Sequence, residues 1–282
     1  MIDPQQLLAL DLPPVEQRYD ERDTILYALG VGLGLDPLDP AQLRFVTEDA
    51  LAVLPTMPVV LAYPRGWWGL AQTGIDALRV VHASEHIGLH AKLPPAGRVR
   101  GLLRVVGITD KGVGKGAIVA TEREIHDADS GALLATVRHV AFCRGDGGCG
   151  SAGRPLDPPH KIPERPADHS LTLPTQPQTA LIYRLSGDHN PLHSDPETAR
   201  RAGFPRPILH GLATFGVIGH ALLRTVCEGD PGRLRGMGCR FTAPVFPGDA
   251  IRTEVWRDGP VTGFRAFVDE RVVADNGSAT IG

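Results

Sequence analysis

A Gly- and Pro-rich segment at residues 144–178 divides this 282-residue chain near its middle and limits the folds open to it. The segment opens Arg144-Gly-Asp-Gly-Gly-Cys-Gly-Ser-Ala-Gly153 and carries seven prolines between positions 155 and 177. Because neither a helical nor an alternating apolar period survives there, the composition predicts a linker. We therefore expect a first half at 1–143, a linker at 144–178 and a second half at 179–282.

The two halves share a faint internal repeat. Leu89–Arg100 resembles Phe241–Arg252, since each reads as a short strand, a Pro/Gly turn and a second strand with apolar residues at alternate positions. Further strands are predicted after each copy, at 116–125 and 133–142 in the first half and at 263–269 and 271–278 in the second. The repeat and the central linker together indicate two related antiparallel sheets.

One apolar segment in the second half predicts a long helix. Leu212–Val226 carries apolar residues on nearly every face, which is typical of a helix buried on most sides. Gly216 and Gly219 lower its helix propensity but allow a neighbouring element to approach closely. The first half has a less regular counterpart at 24–32 and a broken one around 54–75.

Composition excludes several classes of function. The formal net charge of −3 provides no basic surface for nucleic acid, although a few local cations could still hold an anionic ligand. No apolar run approaches the roughly 18 residues needed to span a membrane, and neither terminus resembles a secretory or peroxisomal address. The four cysteines form no paired or zinc-finger spacing. We expect a cytoplasmic protein without nucleic-acid or membrane partners.

The segment Ser186-Gly-Asp-His-Asn-Pro-Leu-His193 is the main candidate for chemistry. Its residue types favour a turn, so Asp188 and His193 can point at one place although five residues separate them. The following segment, 195–203, has the N-cap Asp, first-turn Pro and terminal Gly of a short helix, which would pin the loop. A carboxylate and an imidazole directed at one water form a general acid/base pair.

Pro207-Ile-Leu-His-Gly211 supplies a candidate anion site, because Gly211 opens the predicted buried helix. Backbone N–H groups at a helix start lack intrahelical partners and favour negative charge. Taken singly, Asp188 is typical of an Asx turn and His193 of a surface or capping histidine. The acid/base pair followed within 24 residues by a Gly-initiated buried helix favours a functional interpretation.

The pattern Tyr183-x-Leu-Ser-Gly-Asp-x-Asn-Pro-Leu-His193 resembles the signature of the hydratase 2 family. These are MaoC-like, (R)-specific enoyl-CoA hydratases, and they include the hydratase domain of the peroxisomal multifunctional enzyme. The resemblance covers the chain from about residue 18 to the end. Further matching segments are Tyr27–Gly32, Leu54–Thr56, Phe204–Gly211 and Arg240–Val245.

This resemblance implies an α+β double hotdog fold, with two long helices each wrapped by a curved antiparallel sheet. The half at 1–143 would be a degenerate hotdog that shapes the acyl pocket, and the half at 179–282 would be the catalytic hotdog. Relatives often form dimers, so a homodimer is possible here.

The resemblance also implies functions for individual residues. Asp188 and His193 would be the catalytic pair, with Asn190 between them and Gly211 as the oxyanion donor. Glu48 matches an acidic position that supports the loop. No cofactor or metal is implied, since CoA is part of the acyl-CoA substrate. Contacts to the CoA ester would come from His82, Ala83, Lys111, His189, Pro191, Leu192 and Phe241.

Two segments depart from the family pattern. His82-Ala-Ser-Glu-His86 stands where relatives often carry His-Gly-Glu-Gln, and Tyr63–Trp68 differs from the glycine- and methionine-rich stretch expected there. The spacing of His82, His86 and His90 allows a metal site, but the run favours a strand that places them on one face, and no metal site is predicted.

The expected activity is reversible hydration of a trans-2-enoyl-CoA to a (3R)-3-hydroxyacyl-CoA. One alternative is a dehydratase of a specialised acyl-CoA, such as a branched, steroid side-chain or dicarboxylic thioester. A second, from another class, is a non-catalytic hotdog subunit that binds acyl-CoA. A thioesterase is a further alternative, which release of free CoA thiol would reveal.

Overall fold

A computed structural model describes residues 2–282, whose strands form a single eleven-stranded sheet. The strands are β1 Val15–Tyr19, β2 Val80–Leu89, β3 Gly97–Asp110, β4 Ala117–Asp127, β5 Leu133–Cys143, β6 Ala152–Gly153, β7 His169–Pro174, β8 Leu234–Phe241, β9 Ala250–Asp258, β10 Val261–Val268 and β11 Arg271–Ile281. The α-helices are α1 Pro4–Leu8, α2 Glu21–Gly30, α3 Pro40–Leu43, α4 Thr179–Tyr183, α5 Pro196–Arg201 and α6 Gly211–Thr225.

The order of the strands has an internal symmetry. It runs β1-β3-β4-β5-β2-β8-β11-β10-β9-β7, so the first-half strands mirror the second-half strands about the β2–β8 pair. β2 and β8 are antiparallel, with Glu85 opposite Cys239. The two segments of the sequence repeat occupy equivalent places, because one forms the β2–β3 connection and the other the β8–β9 connection. The four further strands predicted from the sequence are β4, β5, β10 and β11.

The segment 144–178 is not entirely irregular, which corrects the expectation of a featureless linker. His169–Pro174 forms edge strand β7 and pairs with β9, while Ala152–Gly153 pairs with β3. The alternation was present, since Leu171 and Leu173 turn towards the core between exposed Ser170 and Thr172. The prolines on either side of this strand make the alternating pattern hard to recognise in the sequence.

Helix α6 occupies the centre of the second half, and eleven of its 15 residues are buried. Its two central glycines bring the first half into close contact. A Cβ on Gly216 would lie 2.5 Å from Val31 Cγ1, and one on Gly219 would lie 2.5 Å from Thr56 Cγ2. The hydrophobic core around α6 therefore includes residues of both halves.

The helix of the first half is shorter than α6: α2 Glu21–Gly30, which overlaps the less regular helix predicted at 24–32, has 10 residues against the 15 of α6. The stretch between α3 and β2 contains only short 3₁₀ turns, the first at Met57–Val60. Proline removes a backbone donor and breaks helices, and Pro55, Pro58 and Pro64 fall in this stretch. The buried Arg123 of β4 instead donates to the carbonyls of Pro58 and Val59, at 3.0 and 2.9 Å.

A second hydrophobic cluster covers the remaining sheet face of the first half. It unites Leu7 of α1 and Trp67 with Val105 of β3 and Val119 of β4. Loops and the short helix α1 therefore cover that face. No helix within residues 2–282 is long and apolar enough to cross a membrane.

Replacing Gly219 with alanine tests the close approach of the two halves. Alanine raises helix propensity by about 1 kcal/mol, but its Cβ would meet Thr56 at 2.5 Å. We expect a net loss of roughly 1–3 kcal/mol in the free energy of unfolding, as is usual for overpacking. Thermal or denaturant unfolding measures it, and an unchanged or raised stability would contradict this packing. Gly211→Ala is the matched control, because its nearest neighbours lie at 3.6 Å.

Candidate active site

The loop that carries Asp188 is shaped by its own short side chains. Asp188 Oδ1 accepts from the Asn190 backbone N–H at 3.1 Å, and Asn190 Oδ1 accepts from the Leu192 N–H at 3.0 Å. Helix α5 follows, with Asp195 as its N-cap as the sequence predicts. Asp188 is therefore an Asx-turn residue, but its Oδ2 has no hydrogen-bond partner within the described chain and stays available.

His193 is buried, and one hydrogen bond determines its tautomer. Its Nδ1 lies 2.9 Å from the Ile208 carbonyl, which can only accept, so Nδ1 carries the hydrogen. Nε2 then presents a lone pair. Burial lowers the pKa of His193, although the Ile208 carbonyl and Asp188 oppose that shift. A neutral imidazole with a free Nε2 is suited to accept a proton from water.

His210 is a site residue that the sequence interpretation missed. It is only 1% exposed, its ring stacks on His193 at 3.8 Å, and its Nε2 lies 3.2 Å from the Asp188 carbonyl. Burial, together with His193, lowers the pKa of His210 to about 4, so both stacked rings are neutral at pH 7. One ring nitrogen of His193, one of His210 and one carboxylate oxygen of Asp188 all lie within 4.8 Å of one another. The sequence signal for His210 was its position directly before Gly211, the residue that opens α6.

Gly211 is the first residue of α6, as the sequence predicts. The helix's first backbone bonds are donated by Ala213 and Thr214 to the His210 carbonyl, so the Gly211 N–H stays free for an incoming anion. A Cβ on Gly211 would lie 3.6 Å from both His82 Nδ1 and Phe241 Cε2. The structure therefore brings two predicted contact residues, one from each half, to the start of α6.

His82 reaches this position because strand β2 is bulged. His82 lies opposite Ala141 and Ser84 opposite Val140, which leaves Ala83 as the extra residue. The bulge places His82 on the face of Glu85 and puts His86 on the other face. The expectation that His82, His86 and His90 share one face is therefore wrong.

Glu85 forms a buried cluster with two histidines that sequence reasoning did not find. Its Oε2 lies 3.0 Å from His82 Nε2 and 2.9 Å from His139 Nδ1 of β5, and the residue is 2% exposed. Burial alone would raise its pKa, but the two histidines more than offset that and hold it at about 2. Burial lowers the pKa of His139. Glu85 is thus an ionised carboxylate beneath the His82 ring.

The remaining predicted residues lie at varying distances from the reacting groups. Lys111 is exposed in the β3–β4 turn, at the same sheet end as His82 but three strands away, or about 14 Å. Glu48 is exposed, and within the described residues it forms no hydrogen bond or ion pair that would support the loop. The other three, His189, Pro191 and Leu192, lie on the Asp188 loop.

Two family models match the chain, one for each half. The MFE-2 hydratase 2 N-terminal domain matches residues 17–145, and the MaoC-like domain matches residues 159–277. Among curated proteins, enoyl-CoA hydratase ChsH3 of Mycobacterium tuberculosis is 39% identical over 92% of this chain and 90% of its own length. The peroxisomal enoyl-CoA hydratase 2 of Arabidopsis thaliana is 38% identical over 94% of this chain and 90% of its own length.

A solved structure of a MaoC-like dehydratase from Phytophthora capsici has a TM-score of 0.87 and 31% identity to the chain. It covers 99% of this chain, which in turn covers 98% of it. These similarities agree with the paired sheets and confirm the α+β double hotdog fold. The chain belongs to the MaoC-like hydratase 2 family of hydro-lyases.

Proposed function

We propose that the protein catalyses the reversible hydration of a trans-2-enoyl-CoA to a (3R)-3-hydroxyacyl-CoA. The observation that carries this proposal is the convergence of Asp188 and the neutral His193 ring, whose Nδ1 is held by the Ile208 carbonyl, beside the open N-terminus of α6. Similarity to proteins named enoyl-CoA hydratases supports the acyl-CoA substrate.

Asp188 and His193 hold one water between them in the proposed reaction. The water oxygen bonds to C3 of the enoyl group while one of its protons passes to the pair. The pair returns a proton to C2, so one O–H bond and the π bond between C2 and C3 break, and one C–O and one C–H bond form. Because both groups lie on one side of the substrate, addition is syn.

The negative charge that builds on the thioester oxygen is met at Gly211. The free N–H and the positive end of the α6 dipole stabilise an enolate more than a neutral thioester, which lowers the barrier. Asn190 contributes by fixing the loop through its bond to the Leu192 N–H. The half at 1–143 shapes the acyl pocket in this proposal, and Lys111 and the loop residues His189, Pro191 and Leu192 contact the CoA portion.

Mixing the purified protein with trans-2-butenoyl-CoA tests the proposal. Hydration removes the absorbance of the conjugated thioester without releasing a thiol, and chiral analysis should find the (3R) product. Only (3S) product, thiol release without hydration, or no turnover across short, medium and long straight-chain substrates would reject it.

Removing either acid/base group should abolish most activity. Asp188→Asn keeps an oxygen for the Asn190 N–H, and His193→Asn keeps a donor near the Ile208 carbonyl but lacks Nε2. Each should lower kcat by about 10²–10⁴ with little change in melting temperature. In the unmodified protein, the acid limb of kcat/KM should lie at a lower pH than the ordinary histidine value of about 6.5, because burial lowers the pKa of His193 and keeps its ring neutral to lower pH.

The control for this pair is Glu197→Gln, which lies nearby on exposed α5 and pairs with Arg200. It should leave kcat and KM unchanged. Near-normal kcat in Asp188→Asn or His193→Asn would reject the assignment of the catalytic pair.

Gly211→Ala should separate stability from activity. The added Cβ fits at 3.6 Å from its neighbours and should raise the free energy of unfolding by up to about 1 kcal/mol. The same Cβ would occupy the space through which the thioester oxygen approaches the backbone, so kcat/KM should fall at least about tenfold. A fully active Gly211→Ala protein would place the oxyanion elsewhere.

A further inference from the structure

We propose that Arg65 binds the substrate, donating hydrogen bonds from its guanidinium to the amide carbonyls of the pantetheine arm of an acyl-CoA. The arginine belongs to the first half and rests on the Asp188 loop of the second, so it holds the arm across the boundary between the halves. The inference rests on the proposed function, because it takes the thioester to lie between Asp188 and Gly211.

Arg65 projects from a turn, residues 63–68, whose aromatic side chains are tied to one another. The Tyr63 hydroxyl accepts hydrogen bonds from Trp67 Nε1 and Trp68 Nε1, at 3.2 and 2.8 Å. The two indole rings lie against each other at 3.9 Å, and Trp67 is buried. The guanidinium of the buried Arg123 faces the Tyr63 ring at 5.1 Å. Arg65 is therefore exposed, but its backbone is anchored to the sheet beneath it.

The 63–68 turn extends from one side of the site to the other. On one side the Trp68 ring lies 5.9 Å from that of His139, which lies against the His82 ring at 4.0 Å. On the other side Arg65 Nη2 lies 2.8 Å from the place that a Cβ on Gly187 would occupy. The guanidinium thus rests where only a glycine leaves room for it. Side chains of this turn border the space through which a substrate reaches the loop.

Hydrogen-bond donors around the loop lack acceptors. Arg65 forms no hydrogen bond or ion pair with residues 2–282. Arg184 Nε and Ser186 Oγ, on the loop's approach, are buried and have no partner among the same residues. Arg123 and Arg138 also have buried unpartnered nitrogens, but each donates through another nitrogen, whereas Arg184 has no such bond in the described chain. Because buried polar groups are nearly always paired, these donors point to a ligand rich in acceptor oxygens.

The position of Arg65 limits which part of the substrate can meet it. Gly187 directly precedes Asp188, and consecutive Cα atoms lie about 3.8 Å apart, so the guanidinium is close to the reacting carbons. CoA carries two amide carbonyls near its sulfur, and its phosphates lie at the far end of the arm. Arg65 is exposed and His193 is buried, so the arginine faces the CoA side of the substrate rather than the acyl group. The amide carbonyls are therefore its acceptors.

A guanidinium suits this place because its five N–H groups form a planar fork that can bond to a carbonyl along one edge while its face rests on the loop. The amides of the arm do not change during hydration. Hydrogen bonds to them stabilise the bound substrate and the transition state equally. Arg65 should therefore act on KM and leave kcat nearly unchanged, which distinguishes it from Asp188 and His193.

Arg65→Gln tests the contact with four carriers of the same trans-2-butenoyl group. The ethyl thioester has no amide, the N-acetylcysteamine thioester has one, the pantetheine thioester has two, and CoA adds the phosphates. We expect kcat/KM to fall about tenfold, through KM, by the same factor with pantetheine and CoA, and to stay unchanged with the ethyl thioester. The N-acetylcysteamine thioester shows whether the near or the far amide is bound. Arg65→Lys should recover part of the loss, because it keeps the charge without the fork.

Arg18→Gln is the matched control. Arg18 is an exposed arginine on edge strand β1, and its side chain forms no hydrogen bond or ion pair within residues 2–282. It should change no constant with any carrier. Dissociation constants in the Asp188→Asn background repeat the comparison without turnover. There Arg65→Gln should weaken binding of the pantetheine and CoA thioesters about tenfold, by the same factor for both.

The carriers separate the inference from its alternatives. An equal loss with all four thioesters would mean that Arg65 only supports the loop, and a loss confined to the CoA thioester would place it at the phosphates. Either result, or no loss at all, overturns the inference while the proposed function stands. If the unmodified protein hydrates no enoyl-CoA, the proposed function fails, and the dissociation constants alone decide whether Arg65 binds the arm.

Discussion

The rest of the structure depends on the burial of α6. A helix that is apolar on nearly every face must be covered on all sides, and one sheet can cover only some of them. The second half supplies its own strands, and the first half supplies Val31 and Thr56 against Gly216 and Gly219. Covering the helix with both halves leaves its N-terminus at the seam between them, where the free Gly211 N–H meets side chains from each.

Residues of both halves meet at that seam. The Asp188 loop belongs to the second half, whereas His82 comes from β2 of the first, and β2 is the strand that pairs with β8 across the seam. Part of the first half's sheet faces loops in place of a long apolar helix, and charged residues are among its buried side chains. Glu85 and Arg123 are both buried there, and their opposite charges make that burial tolerable.

Much of the architecture could be predicted from local patterns. Strands with clear alternation, the buried helix and the capped helix α5 lie where the sequence predicts them, because each depends on neighbouring residues. Errors arose where the local signal was weak or ambiguous. Strand β7 is flanked by prolines, which weaken its alternating pattern. The segment at 54–75 is rich in apolar residues, but its prolines prevent it from forming one long helix. His210 was overlooked because Gly211 alone accounted for the anion site.

By itself, the sequence determined the Asp188 loop and the helix that begins at Gly211, since turns, caps and apolar periodicity act over a few residues, and its resemblance to a known family implied the double hotdog class. Only the tertiary structure decided which distant side chains join them. One extra residue at Ala83 reverses the face of His82 relative to His86, and the strand register then sets Glu85 beside His139, 54 positions along the chain. Such pairings depend on which strands meet and in what register, and no local pattern in the sequence specifies that choice.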